Sequence, residues 1–341
     1  MQNILRNPFR SPVSAPRAGI RACAAAACLL VFSNYVLAAD APAAKPALAV
    51  MPAAHSAGAL GTAMLSAATA GKRIVSVGDH GAVLLSDDNG EHFRQAKSVP
   101  VSSMLTSVVF VDDKTGWAVG QWGAILRTDD AGETWRLQRV DIANDRPFFS
   151  VYFKDKSEGW AIGLWSLMLH TTDGGATWKE VALPPPPGST KADVNLYGMF
   201  PNAKGELFIS AEKGFVLRST DVGASWTYLP TGYAGSFWSG TALKDGTLLV
   251  GGLRGSIYRS SDDGQTWTNV STSFHSSVNS IIQRSNGTVL AVALDGVSML
   301  SNDDGKTFGG AQRSDRLPLT AVAQAQDGRV VLFSDSGPVK Q

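Results

Sequence analysis

One ten-residue idea recurs six times along the chain, and it constrains the fold more than any other feature. It reads LSDDNGEHF at Leu85, LRTDDAGETW at Leu126, HTTDGGATW at His170, RSTDVGASW at Arg218, RSSDDGQTW at Arg259 and LSNDDGKTF at Leu300. The shared pattern is Ser/Thr-x-Asp-x-Gly-x-(Thr/Ser/His)-Trp/Phe, beginning at positions 86, 128, 171, 219, 260 and 301. Spacings of 42, 43, 48, 41 and 41 residues are the period of a repeat architecture. A catalytic pair is built once per site, so a motif made six times is architecture first. Its aspartates, Asp88, Asp130, Asp173, Asp221, Asp262 and Asp303, are expected to accept backbone N–H groups inside tight hairpins. A calcium loop of the helix-loop-helix kind needs a closing glutamate and flanking helices. These loops are flanked by strand-like runs.

The second copy shows the unit. TSVVFVDD (106–113) is a β-branched run, KTG a turn, WAVG (117–120) a second strand, QW a tight turn and GAILRT a third strand. The Asp hairpin follows, then WRLQRV as a fourth strand. Four short strands in about 42 residues make one blade of a β-propeller. The other copies thread onto it with Val75, Trp117, Trp160, Phe208, Leu249, Leu290 and Val331 in one apolar slot, which reads as core. Trp135, Trp178, Trp226 and Trp267, with Phe93 and Phe308, read as core for the same reason. The seventh copy, Leu319 to Gln341, holds two strands and a stub of the third. An open blade leaves unpaired edges. The expectation is an all-β, seven-bladed propeller over 62–341, its last blade closed by an amino-terminal strand around Ala47 to Met51.

Ahead of the repeats, Arg6, Arg10, Arg17 and Arg21 precede the apolar run ACAAAACLLVFSNYVLA, with no acid before Asp40. Val36 and Ala38 fit the small-residue positions of a cleavage site, so residues 1–38 read as a secretory signal cut after Ala38. The expected product is exported to the periplasm or another extracytoplasmic space, and is not itself transmembrane. Residues 39–61 read as a Pro/Ala-rich tether that includes the closing strand. Cys23 and Cys28 both lie in the leader, so the remainder has no disulfide and no Cys-ligated metal. Without the leader's four arginines the chain carries 26 Lys and Arg against 29 acids, which is no footprint for nucleic acid.

The stretches FVDDKTGWAVGQWGAILRTDDAGETW and FKDKSEGWAIGLWSLMLHTTDGGATW resemble the photosystem II stability and assembly factor family of Asp-box (BNR) propellers. The likeness spans about residues 62–338 and is looser in blades four to seven. It implies a non-enzymatic, exported propeller, such as those that chaperone a reaction-centre subunit in oxygenic phototrophs. For this chain it implies an assembly or accessory factor docking a membrane protein complex, acting as a monomer without a cofactor.

In propeller topology the turns after each second strand open on one face and the Asp hairpins on the other. Those turns place His80, Trp122, Trp165, Lys213, Arg254, Asp295 and Ser336 around one mouth, and the first six are the candidate interaction residues. Tryptophan and arginine dominate protein interfaces. The inter-blade link ALPPPPGSTKADVN (182–195), with four prolines, is expected to project stiffly from that face. Arg127, Arg218 and Arg259, with His170, recur just before the boxes and are expected to brace the hairpin carboxylates. The alternatives are a carbohydrate- or peptide-binding propeller and a sialidase-like or other glycoside hydrolase. Sialidases need an arginine triad and a tyrosine nucleophile, for which no matching stretch exists, and other glycosidases need two facing carboxylates. Asp79, Asp295 and Asp335 fall in turns on one face, which leaves such a pair open. The histidines show no metal-ligand spacing, so no metal site is expected.

Overall fold

The computed structural model of the chain describes residues 50–340. Blade two shows why each piece forms. Leu105–Phe110 and Gly116–Gly120 pair antiparallel around a turn in which the Asp112 carboxylate accepts the N–H groups of Lys114 (2.9 Å) and Thr115 (2.6 Å). Ile125–Thr128 and Arg136–Arg139 complete the sheet across the Asp hairpin. Five further sheets repeat this four-stranded meander, and a seventh, built from Leu319–Gln324, Val330–Ser334 and Gly337–Pro338, has three strands.

The first strand of each blade packs against the first strand of the next, and Leu319–Gln324 returns to Met64–Ala70, which closes the ring. Side chains tie these inner strands together. Ser66 accepts from Val108 N–H (3.2 Å), Ser107 from Val151 (3.3 Å), Ser150 from Met199 (3.2 Å) and Ser239 from Ile281 (3.2 Å). Thr320 donates its hydroxyl to the Met64 carbonyl across the last junction.

The slot residues lie where the repeat places them. Val75, Trp117, Trp160, Phe208 and Leu249 are fully buried, and Leu290 and Val331 nearly so. The box glycine of one blade sits over the slot of the blade before: Gly132 over Val75, Gly223 over Trp160, Gly305 over Leu249 and Gly90 over Val331. Only a residue without Cβ allows this approach, and each of these glycines also has positive φ. At these four seams the slot of one blade is plugged by the next blade's hairpin.

The amino-terminal part of the described chain takes a course the repeat does not announce. Residues 47–49 of the expected closing strand lie outside the described residues, as do the leader and the tether up to 49. Val50 and Met51 belong to no sheet and lie beside Asp79, His80 and Trp122. The chain then runs over the outside of blade one, where Ala53 donates to Val99 O (3.0 Å) and Gln95 Nε2 to Ala54 O (2.8 Å). A 3₁₀ turn, Ala57–Gly61, follows and packs beside Gly337–Pro338. The proline-bearing link also departs from its expectation. It folds back through a turn in which Ser189 donates to Pro186 O (3.0 Å), and it buries Leu183, Pro186 and Val194 rather than projecting. Apolar anchors on both sides of the prolines outweigh their stiffness.

Candidate functional site: the rim of second-to-third-strand turns

Six blades turn from second to third strand through the same three-residue 3₁₀ turn: Asp79–Gly81, Gln121–Gly123, Leu164–Ser166, Glu212–Gly214, Leu253–Gly255 and Leu294–Gly296. The middle residue is left-handed every time: His80, Trp122, Trp165, Lys213, Arg254 and Asp295 have φ between 51° and 59°. The third is glycine in five turns because a Cβ there would meet a neighbouring loop, as with the Tyr233 carbonyl at Gly214. All six sequence-predicted candidates thus occupy one structural position on one rim.

Their surroundings differ, and the rim divides. Over blades one to three it carries apolar side chains among uncharged and acidic polar ones. Trp122, half-buried, shares a cleft of about 290 Å³ with Val50, Met51, Val101, Met104 and His80. Met51 is 63% exposed and Trp165 is 61% exposed, so both offer apolar surface to solvent. Over blades four to six it is charged. Lys213 lies 3.7 Å from Asp193, and Asp295 3.2 Å from Arg316. Arg254 is exposed, its backbone N–H held by Ser277 Oγ at 3.2 Å.

Blade three is the strained member. Here serine replaces glycine, so Trp165 and Ser166 are consecutive non-glycine residues with positive φ, 51° and 58°. Each such residue costs of order 1–3 kcal/mol and persists only where its surroundings enforce it. The enforcement comes from the long link. Ser166 N–H donates to Val194 O (2.7 Å) and its hydroxyl to the same carbonyl (3.2 Å), while Trp165 N–H donates to Asn195 Oδ1 (3.0 Å). Asn195 is held in turn by Glu212, through Nδ2 to Oε1 at 3.0 Å and backbone N–H to Oε2 at 2.9 Å. An exposed indole is therefore presented on a backbone braced from the next blade.

The opposite rim is uniform. In the fifth blade's box the Asp262 carboxylate accepts Ser260 Oγ–H (2.7 Å), Thr266 N–H (2.9 Å) and Thr266 Oγ1–H (2.6 Å), while Gly264 N–H donates to Ser260 Oγ (2.9 Å). The bonds recur at Asp130, Asp173, Asp221 and Asp303. The hydroxyl four residues on, then its backbone N–H, hold Asp173, Asp221, Asp262 and Asp303 down to about 2. Asp88 is lowered first by the His92 N–H and then by the His92 ring, whose Nδ1 lies 2.7 Å away. Asp88, Glu91 and His92 are close enough together to hold a cation, but all three are drawn into hairpin or seam contacts: Glu91 meets Arg329 at 2.8 Å.

Of the residues before the boxes, only Arg127 meets a carboxylate of its own box hairpin. Arg127 Nη2 meets Asp129 at 2.8 Å, and its Nη1 reaches Gly174 O in the next blade at 3.1 Å. Arg259 Nε donates to Asp304 O of the next blade (2.9 Å), Arg218 pairs with Glu206 (2.8 Å), and His170 lies 3.4 Å from Glu158. Asp79, Asp295 and Asp335 sit on the turns of blades one, six and seven, and Asp79 alone lines the apolar cleft. Sequence reasoning missed Val50 and Met51 as rim residues, since it placed them in a strand. It also missed Ser166, because serine carries no left-handed signature.

Comparison with known proteins agrees with this geometry. The family model for the photosynthesis system II assembly factor YCF48 matches residues 50–127 and 94–198. No curated protein matches the sequence. Among solved structures, "YCF48 bound to D1 peptide" superposes with a TM-score of 0.66 at 17% identity, covering 82% of this chain and 92% of that one. YCF48 from Cyanidioschyzon merolae gives 0.64 at 13%, covering 85% and 98%. A streptogramin B lyase gives 0.69 at 13%, covering 85% and 96%, so the fold alone does not choose an activity. The repeat of blades one to three thus matches the photosystem II assembly factor-like family of Asp-box (BNR) β-propellers, and the fold around the ring is like that of its solved members.

Proposed function

We propose that this propeller is an exported, non-enzymatic assembly or accessory factor that docks a membrane protein complex through its turn rim, with the apolar sector of blades one to three as the primary contact. The observation that carries the reading is the Trp165–Ser166 turn. Two consecutive left-handed non-glycine residues and a 61% exposed indole serve no folding need, since the five sister turns use glycine at the third position. Strain retained at an exposed aromatic is the mark of a binding element. Trp122, Val50 and Met51 extend that surface, and Lys213 and Arg254 would set orientation rather than affinity. The family-model match over residues 50–198 supports the assembly role, and the similar fold solved as "YCF48 bound to D1 peptide" supports a peptide-binding surface. Among the described residues no helix is long and apolar enough to cross a membrane, so in this reading the contact with a membrane complex is made through the client.

The test is crosslinking in cells followed by solubilisation, capture of the tagged chain and mass spectrometry, run beside a Trp122→Ala/Trp165→Ala variant. One dominant membrane protein that disappears in the variant is the expected result. No membrane protein enriched over the untagged control, or equal enrichment in the variant, overturns it.

A further inference from the structure

Each inner strand carries a β-bulge at its second residue, so seven side chains are re-aimed at one level of the ring. That level lies just beneath the turn rim. In the six 3₁₀ turns the first residue donates its N–H to the residue ahead of the inner strand, as Asp79 does to Ala63 O (2.9 Å) and Glu212 to Asn195 O (3.1 Å). Each inner strand is paired on its outer edge and packed by neighbouring blades on its faces, so its free side is the central channel. All seven side chains are half-buried there.

The occupants divide the channel mouth. In blades two, six and seven the residue is polar and ties its strand to the next: Thr106 donates to Phe148 O (2.7 Å), Asn279 to Leu319 O (2.7 Å) and Thr320 to Met64 O. Blade one has Leu65, and blades three, four and five have Phe149, Tyr197 and Trp238. The Phe149 and Tyr197 rings stack, their centres 5.4 Å apart and their planes 21° off parallel. Trp238 starts from the strand beside them, its carbonyl 3.4 Å from where a Cβ on Gly198 would stand. Three aromatic side chains on consecutive strands thus make an arc along one side of the mouth. A carboxylate stands at that arc. Glu212 Oε1 lies 3.5 Å from the Tyr197 hydroxyl, and its other partners are the Asn195 N–H and side-chain amide, all neutral donors. Among the described residues no lysine, arginine or histidine lies within ion-pair reach of it, and the Lys213 ammonium is turned to Asp193 at 3.7 Å.

We infer that the arc and Glu212 form a binding site for an organic ammonium group, primary or quaternary, at the channel mouth. Aromatic faces attract a cation, tryptophan most strongly, and Glu212 supplies the counter-charge that its own neighbours leave unmet. An anion would meet that carboxylate unscreened, and an apolar group would leave it uncompensated. The site is built from inner-strand residues and does not depend on Trp165.

The probe is choline, titrated into the full chain by calorimetry beside its neutral isostere, in which a tert-butyl group replaces the trimethylammonium. Saturable binding of choline is expected, about ten-fold or more tighter than the isostere, because the two differ in charge and not in shape. Trp238→Leu is expected to weaken choline about five-fold and to leave the isostere within about two-fold. Glu212→Gln, which keeps the side chain's length and removes its charge, is expected to weaken choline about ten-fold. N-acetyl-lysine methylamide, run in parallel, tells a lysine side chain of a polypeptide from a free small cation by which of the two binds tighter. Trp165→Ala leaves the choline affinity unchanged, so failure here and failure of the rim reading stay distinguishable. Choline and isostere binding equally, neither ammonium compound saturating, or indifference to both Trp238→Leu and Glu212→Gln overturns the proposal.

Discussion

The two rims of this ring follow opposite rules. On the box rim the backbone and the side chains are both fixed: Ser or Thr, Asp, Gly and a hydroxyl residue make the same bonds, with only His92 departing from the hydroxyl. On the turn rim the backbone is fixed and the side chain is free. Every middle residue is left-handed, yet the position holds His, Trp, Trp, Lys, Arg and Asp. The box side chain closes its own hairpin and the box glycine plugs a neighbouring blade, so a substitution opens two places at once. The turn's middle side chain is exposed, or half-buried at Trp122, and closes no hairpin. The difference shows where such a repeat can vary without unfolding, and a functional surface is expected there.

The largest effect expected to sharpen this contrast comes from within one turn. Gly214→Ala places a Cβ against the Tyr233 carbonyl at a φ of 71°, and a loss of about 3 kcal/mol in denaturant unfolding is expected. Its neighbour Lys213→Ala keeps the left-handed backbone, loses only an exposed ion pair, and is expected to change stability by less than about 0.5 kcal/mol. A turn rim that tolerates both equally breaks the comparison.

On the box rim, Asp262→Ala strands the Ser260 hydroxyl and the Thr266 N–H and is expected to cost about 2 kcal/mol, read from the same unfolding curves. The box also sets the acid limit. Asp173, Asp221, Asp262 and Asp303 are held near 2 in the folded chain and titrate near 3.9 when unfolded. Their contribution is therefore complete above about pH 4 and is lost as pH falls from 4 toward 2. Thermal midpoints measured from pH 5 to 2 should fall in that window, and less steeply in Asp303→Asn. A midpoint that stays level to pH 2 removes the carboxylates from the account.

The smallest stability effect is expected to accompany the largest functional one. Trp165→Gly relieves a left-handed side chain and gains conformational freedom when unfolded, so stability changes by less than about 1 kcal/mol, toward stabilisation. Capture of the membrane partner is lost in the same variant. Lost stability together with retained capture would return Trp165 to the scaffold.

Much of this was readable because the repeat reports on itself. Spacing gave seven blades, and a slot that stays apolar across copies gave the core, which Trp117, Trp160 and Phe208 fill without exposure. Six of the turns are marked by a dipeptide at a constant offset, which put all the candidate residues on one rim. The apolar sector was not readable. Val50 and Met51 line one cleft with Trp122, Val101 and Met104, residues some fifty positions on, and no local pattern encodes that pairing.

What the sequence alone determined is whatever a single blade needs in order to exist: its strand alternation, its Asp hairpin and its glycines. Those needs are local and are written six times over. What only the tertiary structure decided lies between blades: Arg127 reaching the Gly174 carbonyl of the next hairpin, Val194 forcing Ser166 into a left-handed turn, and the aromatic arc of Phe149, Tyr197 and Trp238 at the channel mouth. A residue at a seam answers to a neighbour about 40 positions away, and only the closed ring brings that neighbour within reach.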